Sequence, residues 1–404
     1  MTSASSSLHR FLTFILATLC VVICFAASSF PVPLIAMWTQ VLSFSTFEVT
    51  MTVFAYVGGC LAVLLFFSRL SNALGRKRTV MLSLILGIVS CFCFVNPESA
   101  STIIWGRFLQ GLYAGLTTSA AMSWTVDTTP KSHTWLGTTL SSAGPGIGFT
   151  FGTILVGFLA QGGAAAVNGL FEGLSIALVG VLICTYFALE TITPGTQSIV
   201  EVLRPKFGVS EKAKSVFPLC AVGFIGTWAL TCFFQGFSAM LGSEVFTGGV
   251  PSPAYAALTY LLLIGPNALG GILCGKLNPQ KMLFPLATTY FITGTLTFVA
   301  ASYALPAVFI GALSVCGFVM GGICSLSLKL LLKDAALTER AQTISSLYLA
   351  GYLGTGIPSF IIGTFVTNAT VPVIGLVFFG WFLLIWVATA LFQRRLYRAQ
   401  ECFS

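Results

Sequence analysis

Long apolar runs, broken at short intervals by Gly, Pro and small clusters of charge, cover almost the whole chain. Twelve of them are long enough to cross a bilayer. Its hydrocarbon core of roughly 30 Å needs about 20 apolar residues of helix, because every backbone N–H and C=O must be bonded within the segment. They lie at about 11–36, 47–67, 79–95, 101–124, 135–160 and 168–189, then at 216–240, 254–274, 282–301, 306–332, 343–366 and 371–392. The first run lacks a small-residue cleavage site and has the length of a spanning helix, so it is assigned as the first span. Ser45 to Glu48 has capping-box spacing where the second span opens. Asn96-Pro97 and Ser252-Pro253 place a cap residue before a first-turn proline for the fourth and eighth. Polar residues concentrate at 190–215, where Ser198 to Glu201 repeats the capping-box spacing and predicts a short amphipathic surface helix. The pattern predicts an all-α integral membrane protein with a six-helix bundle at 1–189, a linker at 190–215 and a second six-helix bundle at 216–404.

Composition agrees and adds orientation. Of 404 residues, 56% are hydrophobic and 7% charged, whereas a soluble domain carries about a quarter charged residues. The net charge of +8 would fit a nucleic-acid binder, but the basic residues are sparse and not interleaved with aromatics. All of the 19 Lys and Arg except Arg107 and Lys329 fall in alternate connecting segments. The positive-inside rule then places those segments, the linker and both termini in the cytoplasm. The 12 Cys fall almost entirely in apolar runs and there are only 2 His, so no metal or cofactor site and no disulfide framework is expected.

Three segments carry more specific information. Between the second and third spans the chain reads Ser68-Arg69-Leu70-Ser71-Asn72-Ala73-Leu74-Gly75-Arg76-Lys77. This resembles the Gly-x-Leu-x-Asp-Arg-x-Gly-Arg-Lys motif of the major facilitator superfamily, with Asn72 where the family has an acid. Arg107-Phe108-Leu109-Gln110-Gly111 in the fourth span is similar to that family's Arg-x-x-Gln-Gly segment. Gly144-Pro145-Gly146-Ile147-Gly148 in the fifth resembles the Gly-Pro core of its antiporter motif, with Phe149 replacing the final Gly. The resemblance spans the chain, but these signatures lie only in the first half, and they point to the twelve-helix drug/proton antiporters. It implies a conformational switch at Leu70, Asn72, Gly75, Arg76 and Lys77 with Asp127 as the opposing acid. It also implies a coupling segment at Arg107, Gln110 and Gly111, and a hinge at Gly144, Pro145 and Gly148.

Chemistry within the spans is otherwise scarce. Arg107 lies about 9 Å into its span, where a charge is costly and functional by default. Three roles are open to it: proton coupling, holding an anionic substrate by its planar fork, or bonding helix carbonyls. Glu48 and Glu172 fall in the first turns of the second and sixth spans, where a carboxylate suits either coupling or the helix dipole. No acid lies at the middle of a span, which disfavours strongly cationic substrates. Trp228, Gln235 and Asn267 are the candidates for a cavity lining in the second half. No phosphate-binding loop and no nucleophile with a base at helical spacing is visible, which argues against a primary pump and an enzyme. The expectation is a monomeric, proton-coupled exporter of small amphiphilic compounds in a bacterial inner membrane, with the bilayer, protons and substrate as partners. Transport of an organic acid or other metabolite, with Arg107 as anion ligand, is the alternative.

Overall fold

Regular structure follows the apolar runs, with departures wherever proline, glycine or charge interrupts them. The computed structural model describes residues 3–67, 69–130, 132, 135–192, 208–333, 337–365 and 370–401. The amphipathic helix expected around Ser198 to Glu201 lies outside the described residues. In the first half the helices are α1 (Ser3–Ser29), α2 (Pro31–Val41), α3 (Thr46–Ala62), α4 (Leu70–Leu74), α5 (Arg76–Phe92), α6 (Ala100–Thr128), α7 (Trp135–Leu159) and α8 (Ala164–Phe187). In the second they are α9 (Phe217–Phe246), α10 (Pro253–Cys274), α11 (Pro279–Ser302), α12 (Pro306–Leu332), α13 (Leu337–Thr355), α14 (Ile357–Phe365) and α15 (Val371–Glu401).

Among the described residues, nine helical segments are long and apolar enough to cross a membrane. The three other expected spans are also helical, and each has a reason to fall short. α5 has 17 residues and opens on Arg76, Lys77 and Arg78. α6 has 29 residues, but Arg107, Gln110 and a run of Gly, Ser and Thr dilute its apolar character. The eleventh run divides into α13 and α14. Pro358, in the first turn of α14, has no N–H to bond back across that break.

Other boundaries differ from expectation for local reasons. The first run breaks after Ser29 because Pro31 and Pro33 cannot donate, and Pro31 opens α2 as a first-turn proline. Asn96 is no cap. It adopts φ +48°, and Ser99 caps α6 by accepting from the N–H of Thr102. Ser252 does precede α10 as its cap residue with Pro253 in the first turn, though its side chain makes no capping bond. Ala164 to Ala166, the strongest helix formers, extend α8 four residues beyond the expected start at 168.

Two compact units emerge, one of Met1–Leu34, Trp38–Ser43 and Met51–Pro205, the other of Ile35–Met37, Phe44–Thr50 and Lys206–Ser404. In the first, α1 packs on α6 and α7, and α5 packs on α6 and α8. In the second, α12 packs on α10 and α11, and α9 contacts α10, α12, α13 and α15. Glycine permits the closest crossings in both. A Cβ on Gly111 of α6 would overlap the carbonyl oxygen of Tyr56 in α3, and one on Gly321 of α12 would overlap that of Asn267 in α10. Such packing of backbone on backbone is how helices associate where lipid removes the hydrophobic drive.

Candidate functional site

The loop between α4 and α5 is held by a network of polar contacts. Gly75 sits at φ +99° and its carbonyl accepts the first bond of α5 from Thr79. The Arg76 Nε donates to Asp127 Oδ2 at 3.1 Å. Its Nη1 donates to Ser71 Oγ at 2.6 Å and to Asn72 Oδ1 at 3.3 Å. Asn72 thus accepts from the same cation that an acid there would bind. Arg10 Nη2 reaches the carbonyl oxygen of Asp127 at 2.6 Å, and Lys77 Nζ that of Tyr186 at 3.2 Å. Leu70 is buried beside Val63 and Leu116. The predicted switch residues and Asp127 are therefore one cluster.

A residue not anticipated from the sequence completes it. Glu190, just past α8, accepts from the backbone N–H of Arg76 at 2.9 Å through Oε1 and from that of Lys77 at 3.1 Å through Oε2. A carboxylate there satisfies orphan donors at the positive end of α5. A Cβ on Gly75 would overlap Glu190 Oε2, so glycine is required both by its dihedral and by this neighbour. The one available signal was that Glu190 is the first charge after a long apolar run.

Deeper in the same unit, Arg107 is 1% exposed. Its Nη1 donates to the carbonyl oxygen of Ser28 and to Gln110 Oε1, each at 2.9 Å, and its Nε to the carbonyl oxygen of Thr52 at 3.4 Å. The guanidinium lies 4.4 Å from the centroid of the Tyr56 ring, a geometry in which a desolvated cation gains about 2 kcal/mol. Gln110 Nε2 donates to the carbonyl oxygen of Ala27 at 3.0 Å. Two side chains three residues apart on α6 thus grip the last turn of α1. On another side of α1, a Cβ on Gly144 would lie 2.8 Å from Val21 Cγ1. A Cβ on Gly148 would overlap the carbonyl oxygen of Val22, and one on Gly152 that of Ala26. The helix runs on through Pro145, so these glycines at four-residue spacing form a ridge against α1.

The remaining candidates divide. Glu48 forms the reciprocal capping box expected of it, its Oε2 accepting from Ser45 N–H and Ser45 Oγ at 2.8 Å while Ser45 Oγ accepts from the Glu48 N–H at 3.2 Å. Glu172 is not in a first turn. With α8 starting at Ala164 it stands in the third turn, exposed, about 12 Å from the helix start. In the second unit Trp228 meets Tyr352 at 4.7 Å and Tyr348 at 5.1 Å between ring centroids, both edge to face. Those two tyrosines, spaced four apart on α13, were not singled out from the sequence. Gln235 lies seven residues beyond Trp228 on α9 and is 4% exposed. Asn267 belongs to the separate crossing of α10 and α12. Lys329, the other cation within a span, donates to the carbonyl oxygens of Gly275 and Leu277 at 3.0 and 2.9 Å.

A family model described as Major Facilitator Superfamily matches residues 17–359. None of the curated proteins matches this chain in sequence. Among solved structures, a crystal structure of the nucleoside transporter NupG, in a point-mutant form, is similar with a TM-score of 0.70. The likeness covers 95% of this chain and 99% of that chain at 10% sequence identity, and is therefore a likeness of fold.

Proposed function

The chain belongs to the major facilitator superfamily, and from that premise we propose that it is a proton-coupled exporter of small amphiphilic compounds working by alternating access. It is a multi-pass membrane transporter, not an enzyme. On our reading its termini are cytoplasmic, it acts as a monomer, and its membrane is the inner membrane of a bacterial cell. One observation carries the proposal. The two segments that resemble antiporter motifs act on the same turns of α1, the Arg107 and Gln110 side chains from α6 and the glycine ridge from α7. A fixed cation of this kind changes the cost of placing a proton about 10 Å away by about 1.7 kcal/mol at an effective dielectric of about 20. Movement of the helix that the cation grips then links protonation to conformation.

A second reading, carriage of an organic acid or another small metabolite, has its own support. Arg107 supplies positive charge within the first unit, and, in the second unit taken by itself, the rings of Trp228, Tyr348 and Tyr352 lie together. One solved structure of similar fold is that of a nucleoside transporter. Purified protein in proteoliposomes, with and without an imposed pH gradient, separates the two. An amphiphilic dye, a carboxylic acid and a nucleoside are the test substrates. Export predicts accumulation of the dye that collapses when the gradient is dissipated. Gradient-independent uptake of the acid or nucleoside, with no dye movement, refutes it in favour of the second reading.

A further inference from the structure

α15 has 31 residues, about 46 Å of helix. Its apolar part, 371–392, spans about 33 Å and matches a hydrocarbon core of roughly 30 Å. The turns from Gln393 onward therefore emerge at headgroup level, and they carry the exposed Arg394, Arg395 and Arg398. The emerging segment is anchored. Gln393 Nε2 donates to the carbonyl oxygen of Gln280 at 2.6 Å, and the Tyr397 hydroxyl to the same oxygen at 2.8 Å. This holds it to the start of α11, where the next residue is the exposed Lys281.

The order of residues along one face is informative. Leu384, Val387 and Leu391 are 58%, 40% and 54% exposed, and with Arg394 and Arg398 they continue at three- and four-residue spacing, so all five share a stripe. The stripe is apolar within the core and doubly cationic at its edge. Arg394 and Arg398 are like charges at i, i+4, an arrangement that costs stability unless an anion lies over it. The ion pairs seen between described side chains are Arg76 with Asp127 and Lys214 with Glu211, neither of them involving a residue at this end of α15. Beside them a cleft of about 10 Å³ is lined by Leu219, Gln280, Gln393, Leu396 and Tyr397, which is room for one water-sized group. Gln393 is 8% exposed, and its Oε1 is a buried acceptor without a hydrogen-bond partner among the described residues.

We propose that this end of α15 binds an anionic phospholipid bearing a headgroup hydroxyl, its phosphate held by Arg394 and Arg398 and its hydroxyl donating to Gln393 Oε1. The guanidinium fork matches phosphate oxygens in pairs, and Arg395 and Lys281 add positive field. One acyl chain lies along Leu391, Val387 and Leu384. That continuity distinguishes a lipid from free phosphate, since only a lipid uses both parts of the stripe.

The test titrates the purified full chain, in an uncharged detergent, with phosphatidylglycerol, phosphatidylmethanol, phosphatidylcholine or inorganic phosphate, and counts bound molecules by native mass spectrometry. Phosphatidylglycerol should bind most tightly and phosphatidylcholine weakly. Arg394→Gln with Arg398→Gln should weaken phosphatidylglycerol about thirty-fold, each surface cation contributing about five-fold. The exposed pair Lys212→Gln with Lys214→Gln, on the same unit, should leave it unchanged. Phosphatidylmethanol has the same charge without the hydroxyl and should bind about five-fold more weakly than phosphatidylglycerol, a gap that closes in Gln393→Met. In the unaltered protein, added salt should loosen phosphatidylglycerol and spare phosphatidylcholine. Undiminished binding by the double arginine variant, equal loss in the lysine control, salt-independence, or displacement by inorganic phosphate at matching concentration would each overturn the site. Equal affinity for phosphatidylmethanol would overturn the role of Gln393.

Discussion

Replacing Gly75 with alanine puts the loop cluster to its most direct test, because the structure gives two separate penalties for a single methyl group. The backbone there has φ 99° and ψ 158°, a region essentially reserved for glycine, and holding another residue in it costs about 1–3 kcal/mol. The added Cβ would also overlap Glu190 Oε2 and lie 2.9 Å from its Cδ. The carboxylate must then leave the N–H groups of Arg76 and Lys77, and loss of such a cap costs about 1 kcal/mol. Gly75→Ala should therefore destabilise the protein by about 2–4 kcal/mol, and Glu190→Ala alone by about 1 kcal/mol. The two effects should not add. With Glu190 already truncated, the alanine meets only its backbone strain, so the double variant should be about 1 kcal/mol more stable than the sum of the singles. Thermal unfolding of the detergent-solubilised protein measures all three, and proteoliposome transport shows whether the loop is a switch. An alanine variant as stable as the parent, or strict additivity in the cycle, would refute the account of Glu190 as the cap that Gly75 accommodates. Full transport by Gly75→Val would separately refute the switch.

Other outcomes follow from the same geometry. The Arg76 and Asp127 side chains are 16% and 32% exposed, so Asp127→Asn should cost less than about 1 kcal/mol in thermal stability, while transport falls further if the pair is part of the switch; equal and small losses in both would leave it structural. Arg107→Lys keeps the charge, but one ammonium cannot reach Ser28, Thr52 and Gln110 together, so unfolding should occur with about 1–3 kcal/mol less stability, and an unchanged melting temperature would count against the grip on α1. Gly111→Ala forces α3 and α6 apart at the Tyr56 carbonyl and should cost about 1–3 kcal/mol. Gly180→Ala, where a Cβ meets nothing within 4 Å, should stay within about 0.5 kcal/mol of the parent.

Periodicity and charge made the helical, membrane-spanning character legible, because a bilayer leaves a chain few alternatives. Asp127 was found as the partner of Arg76 since both stand at helix ends that charge counting places on one side. Glu172 stands deeper in its helix than the apolar run implies, because Ala164 to Ala166 are weakly hydrophobic yet strong helix formers. Asn96 takes a left-handed turn and not the cap its Asn-Pro pair suggests, because such a pair serves either role. The partners of Arg107 were beyond reach for a different reason. Apart from Gln110, which the motif already sets beside it, they are backbone carbonyls of Ser28 and Thr52, and a carbonyl has no residue type by which a sequence could reveal it.

The first unit carries recognisable signatures and the second does not, for a related physical reason. At the loop and at Arg107 the work is done by residue types with few substitutes: a glycine at a left-handed dihedral, guanidinium groups spanning several acceptors, and a glutamine that accepts from Arg107 while donating to Ala27. In the second unit the tightest features are glycine crossings and packed phenylalanines, such as Phe233 with Phe378 at 4.6 Å and Phe298 with Phe378 at 4.8 Å between centroids. Packing of that kind accepts many apolar combinations of similar volume, so it leaves no fixed string to read. α1 is where the constrained chemistry converges. Near its start Arg10 bonds Asp127 and Thr13 Oγ1 accepts from the N–H of Leu189, and at its end Ala27 and Ser28 bond Gln110 and Arg107. About 22 Å of helix separates Thr13 from Ser28, and a helix bonded at both ends transmits a displacement of one to the other because its own ladder resists stretching.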